Sequence, residues 1–116
     1  MKFFITLIFF AHGNIILAQQ DSINILFYNV ENLFDTKDDS LKNDNEFLPS
    51  SKKKWTSSKW NIKTNNIVKI IAANNFPEII GLCEVENSDV LKKITSHYLL
   101  RTKNYSIIHF DSPDRR

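Results

Sequence analysis

Phe76-Pro77-Glu78-Ile79-Ile80-Gly81-Leu82-Cys83-Glu84-Val85-Glu86-Asn87 is an apolar run that opens after a proline and closes on carboxylates and an amide. Its length and composition predict a buried strand. The acidic close places oxygen-bearing side chains at the carboxyl end of that strand, where open α/β sheets bind their ligands. A second run, Ile23-Asn24-Ile25-Leu26-Phe27-Tyr28-Asn29, is β-branched and aromatic on both alternating faces, which predicts a central strand covered on both sides. It too ends in a side-chain oxygen, so the two strands can form the walls of one site.

The segments between and after these strands set the fold class. Val30 to Thr36 leaves the first strand, and Lys37 to Ser58 is a polar stretch of Lys, Asp, Asn and Ser without apolar periodicity. A connection of that length in a small domain is either a functional loop or a mobile one, and Trp55 and Trp60 are placed to pin its far end. From a cap at Ser57 or Ser58, Trp60, Ile67, Val68, Ile70 and Ile71 recur at helical spacing up to Ala73, and Asn74-Asn75 ends the helix. Asn87-Ser88-Asp89 offers a second cap, with Val90, Leu91 and Ile94 on one face of a short amphipathic helix and Lys92 and Lys93 on the other. Tyr105 to Phe110 reads as a third strand and Asp111-Ser112-Pro113-Asp114 as a turn. The predicted order is strand, long loop, helix, strand, helix, strand, an α/β pattern with at least one parallel crossover.

At 116 residues the chain has room for one small domain. Residues 1–18 have a positive start, an apolar run broken by His12-Gly13-Asn14, and Ile15-Ile16-Leu17-Ala18 before a polar Gln19-Gln20-Asp21. This is the layout of a secretory signal peptide, which predicts a secreted or periplasmic protein. The interruption leaves no run of the ~20 apolar residues that a membrane span requires. The net charge of +2 gives no reason to expect a nucleic-acid surface on charge alone. Cys83 is the single cysteine, which excludes an internal disulfide and a cysteine-based zinc site; inside its apolar strand it reads as a small buried hydrophobe.

Asn29 and Glu84 end two strands joined by a helical crossover, so their side chains can approach one point from two directions. A carboxylate and a carbonyl oxygen on rigid strands suit Mg²⁺, a hard cation that takes a few protein oxygens and keeps several waters. The same pattern also suits solvated strand ends. His12 lies in the leader, His97 follows a helix as a surface residue, and His109 alternates with Ile107 as a structural residue. Lys52-Lys53-Lys54 reads as a solvated charge run.

Three segments in order, Phe27 to Asp35, Ile80 to Asn87 and His109 to Arg116, resemble the endonuclease/exonuclease/phosphatase family that includes deoxyribonuclease I, most closely its secreted bacterial branch. The resemblance covers residues 22–116 and implies the N-terminal half of a DNase I-like four-layer α/β sandwich. It implies metal-dependent phosphoester hydrolysis with Mg²⁺ or Mn²⁺ held by Glu84 and Asn29. Glu31 and Glu86 would support the metal site. More loosely, Asp111, Asp114, Arg115 and Arg116 would lie near the substrate phosphate. The resemblance also marks two departures. Cys83 stands where the broader family often has Gln before its metal-binding Glu, and the chain lacks the Asp-x-Asn segment and the His–Asp pair of longer members.

The expected protein is therefore a partial domain, incomplete on its C-terminal side and inactive by itself, with one sheet face bare. A non-catalytic secreted interaction module of the same fold is the alternative, and a second polypeptide completing the sandwich is a further possibility. The substrate class extends from nucleic acid to sugar phosphate, inositol phosphate and phospholipid headgroup.

Overall fold

The computed structural model describes residues 22–110. The leader over residues 1–18, the turn over 111–114 and the basic pair Arg115-Arg116 lie outside the described residues. Within them the chain runs through strand β1 (Ile25–Leu33), a single 3-10 turn (Asn45–Phe47), helix α1 (Ser57–Ala73), strand β2 (Ile79–Val85) and helix α2 (Ser88–Thr95).

The two strands pair in parallel, Ile25 opposite Ile79 through Asn29 opposite Cys83, with α1 as the crossover. One face of this sheet is the core. Leu26, Tyr28, Ile80 and Leu82 pack there against a buried cluster of Val30, Leu33, Ile67, Val68, Ile71, Val90, Ile94 and Leu100, which draws on both helices. The other face is open: Ile25 is 64% exposed, Phe27 76% and Ile79 52%. The expectation that the first strand is covered on both sides is thus corrected, while the expected bare face is present. Cys83 shares the parity of Ile79 and Gly81 on that open face and is only half-buried, which corrects its reading as a buried hydrophobe. Gly81 has a role here: a Cβ at this position would stand 2.8 Å from Phe27 Cδ2, so the absent side chain lets the Phe27 ring lie across the strand.

α1 begins one residue earlier than the serines suggest. Thr56 is its N-cap, its Oγ1 accepting from the Lys59 amide at 3.4 Å. The helix closes on Asn74, whose side-chain amide donates to the Ile70 carbonyl at 2.8 Å, and Asn75 follows in the left-handed region at φ 59°. Asn tolerates that conformation better than other residues with side chains, which is how the helix stops without a glycine. α2 is capped as expected: Asn87 Oδ1 accepts from the Val90 amide at 3.0 Å.

The long connection between β1 and α1 is built around its aromatics. Phe34 and Phe47 stack with centroids 4.1 Å apart, Trp55 meets Phe47 edge-on, and Trp55 Nε1 donates to the Phe34 carbonyl at 3.0 Å. Trp55 therefore ties the end of the loop to its beginning. Lys53 caps the stack over Phe47 and pairs with Glu46.

The third strand does not form. Tyr105, Ile107 and His109 turn partly inward while Ser106, Ile108 and Phe110 face out, so the alternation is real, but no ladder partner accompanies it. A cleft of about 940 Å³ is lined by both β2 and residues 103–110, and a strand without a neighbour has no hydrogen-bond ladder. The segment is anchored instead by Leu100 in the core and by Tyr105, whose hydroxyl donates to the Pro77 carbonyl at 2.7 Å. His97 is not simply a surface residue: Nε2 lies 3.1 Å from Asn65 Oδ1, and Nδ1 accepts from the Leu99 amide, so it ties the turn after α2 to α1. Among the described residues no helix is long and apolar enough to cross a membrane.

Candidate metal and phosphate site

β1 continues past Asn29, and that extension shapes the site. Asn29 pairs with Cys83 and Leu33 with Val85, so Val30, Glu31 and Asn32 stand against Glu84 alone. Such a bulge bends the strand and re-aims its side chains. Glu31 (φ 54°), Asn32 (φ 61°) and, across the ladder, Glu84 (φ 63°) all lie in the left-handed region. For residues with a Cβ that conformation costs about 1–3 kcal/mol each and persists only where surrounding contacts hold it.

The contacts are visible. Asn29 Nδ2 donates to Glu84 Oε1 at 2.7 Å, linking the two strand ends through their side chains. The Asn32 amide donates to Glu84 Oε2 at 3.0 Å, and the Glu31 amide donates to Asn29 Oδ1 at 2.7 Å. The bulge thus presents consecutive N–H groups, one to each member of the pair. Both Asn29 and Glu84 are exposed, and each accepting oxygen keeps a further lone pair for another ligand.

Lys63, projecting from α1, closes the arrangement from behind. Its ammonium donates to the Glu31 carbonyl at 2.5 Å and to the Asn32 carbonyl at 3.4 Å, and stands 5.6 Å from the Trp55 ring centroid. Burial holds the Lys63 ammonium below the usual lysine range, an effect opposed by the carboxylates of Glu31 and Glu84. Nothing in the sequence marks Lys63 or Asn32. Lys63 is one of several lysines on α1, and its importance depends on a bulge that periodicity does not reveal.

Glu86 takes a different place from Glu84. It is buried, its Oε2 accepts from the Asp35 amide at 2.8 Å, and its backbone carbonyl accepts from Lys42 Nζ at 2.8 Å. Its carboxylate therefore fastens the start of the long loop and is not hydrogen-bonded to the Asn29–Glu84 pair. Burial pushes the Glu86 carboxyl upward, with the Asp35 amide pulling the other way. Glu31 is exposed and engages the site through its backbone and its charge. Asp111, Asp114, Arg115 and Arg116 lie outside the described residues.

Among the described residues no three His, Cys, Asp or Glu side chains gather into a metal cage. What the bulge does offer is one exposed carboxylate bonded to the nitrogen of an exposed side-chain amide, whose Oδ1 accepts from the Glu31 amide and keeps a further lone pair. That donor set fits a hydrated Mg²⁺ or Mn²⁺, which binds through one or two carboxylates and keeps its waters, better than it fits a softer or more fully enclosed ion.

A family model described as the endonuclease/exonuclease/phosphatase family matches residues 24–116. The match takes in both strands, the bulge and both helices. No curated relative and no solved structure matches the chain.

Proposed function

Since the chain belongs to the endonuclease/exonuclease/phosphatase family, we propose that it serves metal-dependent phosphoester hydrolysis with Asn29 and Glu84 as the cation-holding pair. The observation that supports this reading is the 2.7 Å bond from Asn29 Nδ2 to Glu84 Oε1, which joins an exposed carboxylate and an exposed side-chain amide at the carboxyl ends of two parallel strands. When bound, Mg²⁺ or Mn²⁺ would supply charge stabilisation for the phosphoryl and leaving oxygens.

The chain's own residues shape the pair that would hold it. Glu84 contributes the negative charge that attracts the cation, and the Asn32 amide fixes one of its oxygens in direction. Asn29 is oriented by the Glu31 amide and in turn holds the other Glu84 oxygen. Asp111, Asp114, Arg115 and Arg116 are proposed to contact the substrate phosphate. The substrate is a phosphoester, with nucleic acid among the candidates, and export through residues 1–18 is part of the same reading.

Calorimetric titration of the full chain with Mn²⁺ tests the cation pair. Binding that weakens at least tenfold in Glu84→Ala supports it, and equal binding by both proteins contradicts it. Hydrolysis of bis-p-nitrophenyl phosphate that requires Mn²⁺ and disappears in Glu84→Ala supports the hydrolytic part of the reading, and hydrolysis that persists in Glu84→Ala contradicts it.

A further inference from the structure

The contacts around the bulge assign a task to a residue that the cation reading leaves unused. We propose that Lys63 is a positioning residue of the Asn29–Glu84 site: by holding the Glu31 carbonyl, with a longer contact to that of Asn32, it fixes the peptide unit whose amide, that of Asn32, orients the Glu84 carboxylate against which Asn29 is set. The inference rests on the reading of that pair as a cation site and names the group that keeps the pair in shape.

Glu31 and Asn32 are consecutive left-handed residues, a backbone that β-type pairing does not maintain. Their N–H groups point at Asn29 Oδ1 and Glu84 Oε2, and their C=O groups are engaged by the Lys63 ammonium. The amide of Asn32 and the carbonyl of Glu31 belong to the same rigid peptide plane. Lys63 therefore sets the direction of the very N–H that Glu84 accepts. Hydrogen bonds to a charged donor are worth roughly twice a neutral one, enough to offset part of the cost of the left-handed backbone. Trp55 supplies the wall that keeps the ammonium in place, and Trp55 is itself fixed by its bond to the Phe34 carbonyl.

Lys59 lies one turn earlier on the same helix and lines the same cleft as Glu31, but donates to the Lys53 carbonyl at 2.7 Å rather than to the bulge carbonyls. It provides a matched control with the same charge and helix.

The test uses the full chain, isotope-labelled, in Lys63→Met, Lys63→Arg and Lys59→Met, with Mn²⁺ as the probe. Lys63→Met is expected to move the Asn32 backbone amide and the Asn29 side-chain amide resonances and to weaken Mn²⁺ binding about tenfold, the low end of what a lost outer-shell partner costs a metal site. Lys63→Arg restores the resonances at least in part, and Lys59→Met leaves them in place. A merely structural lysine would lower the unfolding midpoint without moving those two amides. Unchanged Asn29 and Asn32 resonances with unchanged Mn²⁺ affinity in Lys63→Met overturn the proposal.

If the unmodified chain fails to bind Mn²⁺ at all, the cation reading fails, and the two amide resonances still decide the positioning role. If Lys63→Met does not fold, the unmodified protein decides. Scalar couplings across the hydrogen bonds, from Lys63 Nζ to the carbonyl carbons of Glu31 and Asn32, support the role, and their absence overturns it.

Discussion

Glu84 and Glu86 show how far two carboxylates separated by one residue can differ. Glu84 is exposed and hydrogen-bonded to Asn29 and to the Asn32 amide, whereas Glu86 is buried against the loop and bonded to the Asp35 amide. The left-handed turn at Glu84 separates them, breaking the alternation so that Val85 faces the core. The buried carboxyl has a consequence for pH. Its folded-state pKa is raised above the ordinary value of 4.5, so the folded protein binds the proton more tightly than the unfolded chain does. The contribution of Glu86 to stability is then fully present below that ordinary value and is lost as pH rises through the raised one. Glu86→Gln keeps an oxygen for the Asp35 amide and removes the charge. Denaturant melts across that window are expected to show less loss of stability with rising pH in the variant than in the parent, and identical pH profiles would contradict the assignment.

At the scale of elements, the sequence carried the first two strands, both helices and the Asn87 cap, missed the α1 cap by a residue at Thr56, and overstated the third strand. The Pro77 boundary, the apolar spacing of Ile67, Val68 and Ile71 and the Asn87 cap all express local physics that a linear pattern records. Asn87→Ala is expected to cost about 1 kcal/mol in chemical denaturation, with Thr56→Ala costing less because its capping bond is longer. The bulge was not legible for a physical reason: three left-handed residues without a glycine leave no mark in hydrophobic period, since tertiary hydrogen bonds hold them and propensity does not. The third strand fails for the converse reason. Alternation along Tyr105 to Phe110 reports which side chains face inward, and says nothing of whether a ladder partner is present. The proximity of Asn29 and Glu84 was legible because it needs only two parallel strands in register. The part played by Lys63 needed the bulge as well.

For the whole molecule, the open sheet face is the dominant physical fact. Ile23, Ile25, Phe27 and Ile79 form an apolar surface opposite the core, joined in exposure by Ile108 and Phe110. Surfaces of this kind drive association in water. The 116-residue chain is expected to self-associate at micromolar concentration in light scattering, and Phe27→Glu, at the centre of the face, to shift the population toward monomer. A monodisperse monomer from the unmodified chain would contradict this. Gly81→Ala acts on the same face. Its added methyl meets an exposed Phe27 ring that is free to swing outward, so the expected loss of stability is below about 1 kcal/mol.

The proposed cation position is at the exposed oxygens of Asn29 and Glu84 beside the bulge. Paramagnetic broadening by Mn²⁺ in an isotope-labelled sample reads that location residue by residue. Broadening is expected to centre on Asn29, Asn32 and Glu84 and to be lost in Glu84→Ala. Broadening centred instead on Glu86 and Asp44, or surviving unchanged in Glu84→Ala, would contradict it.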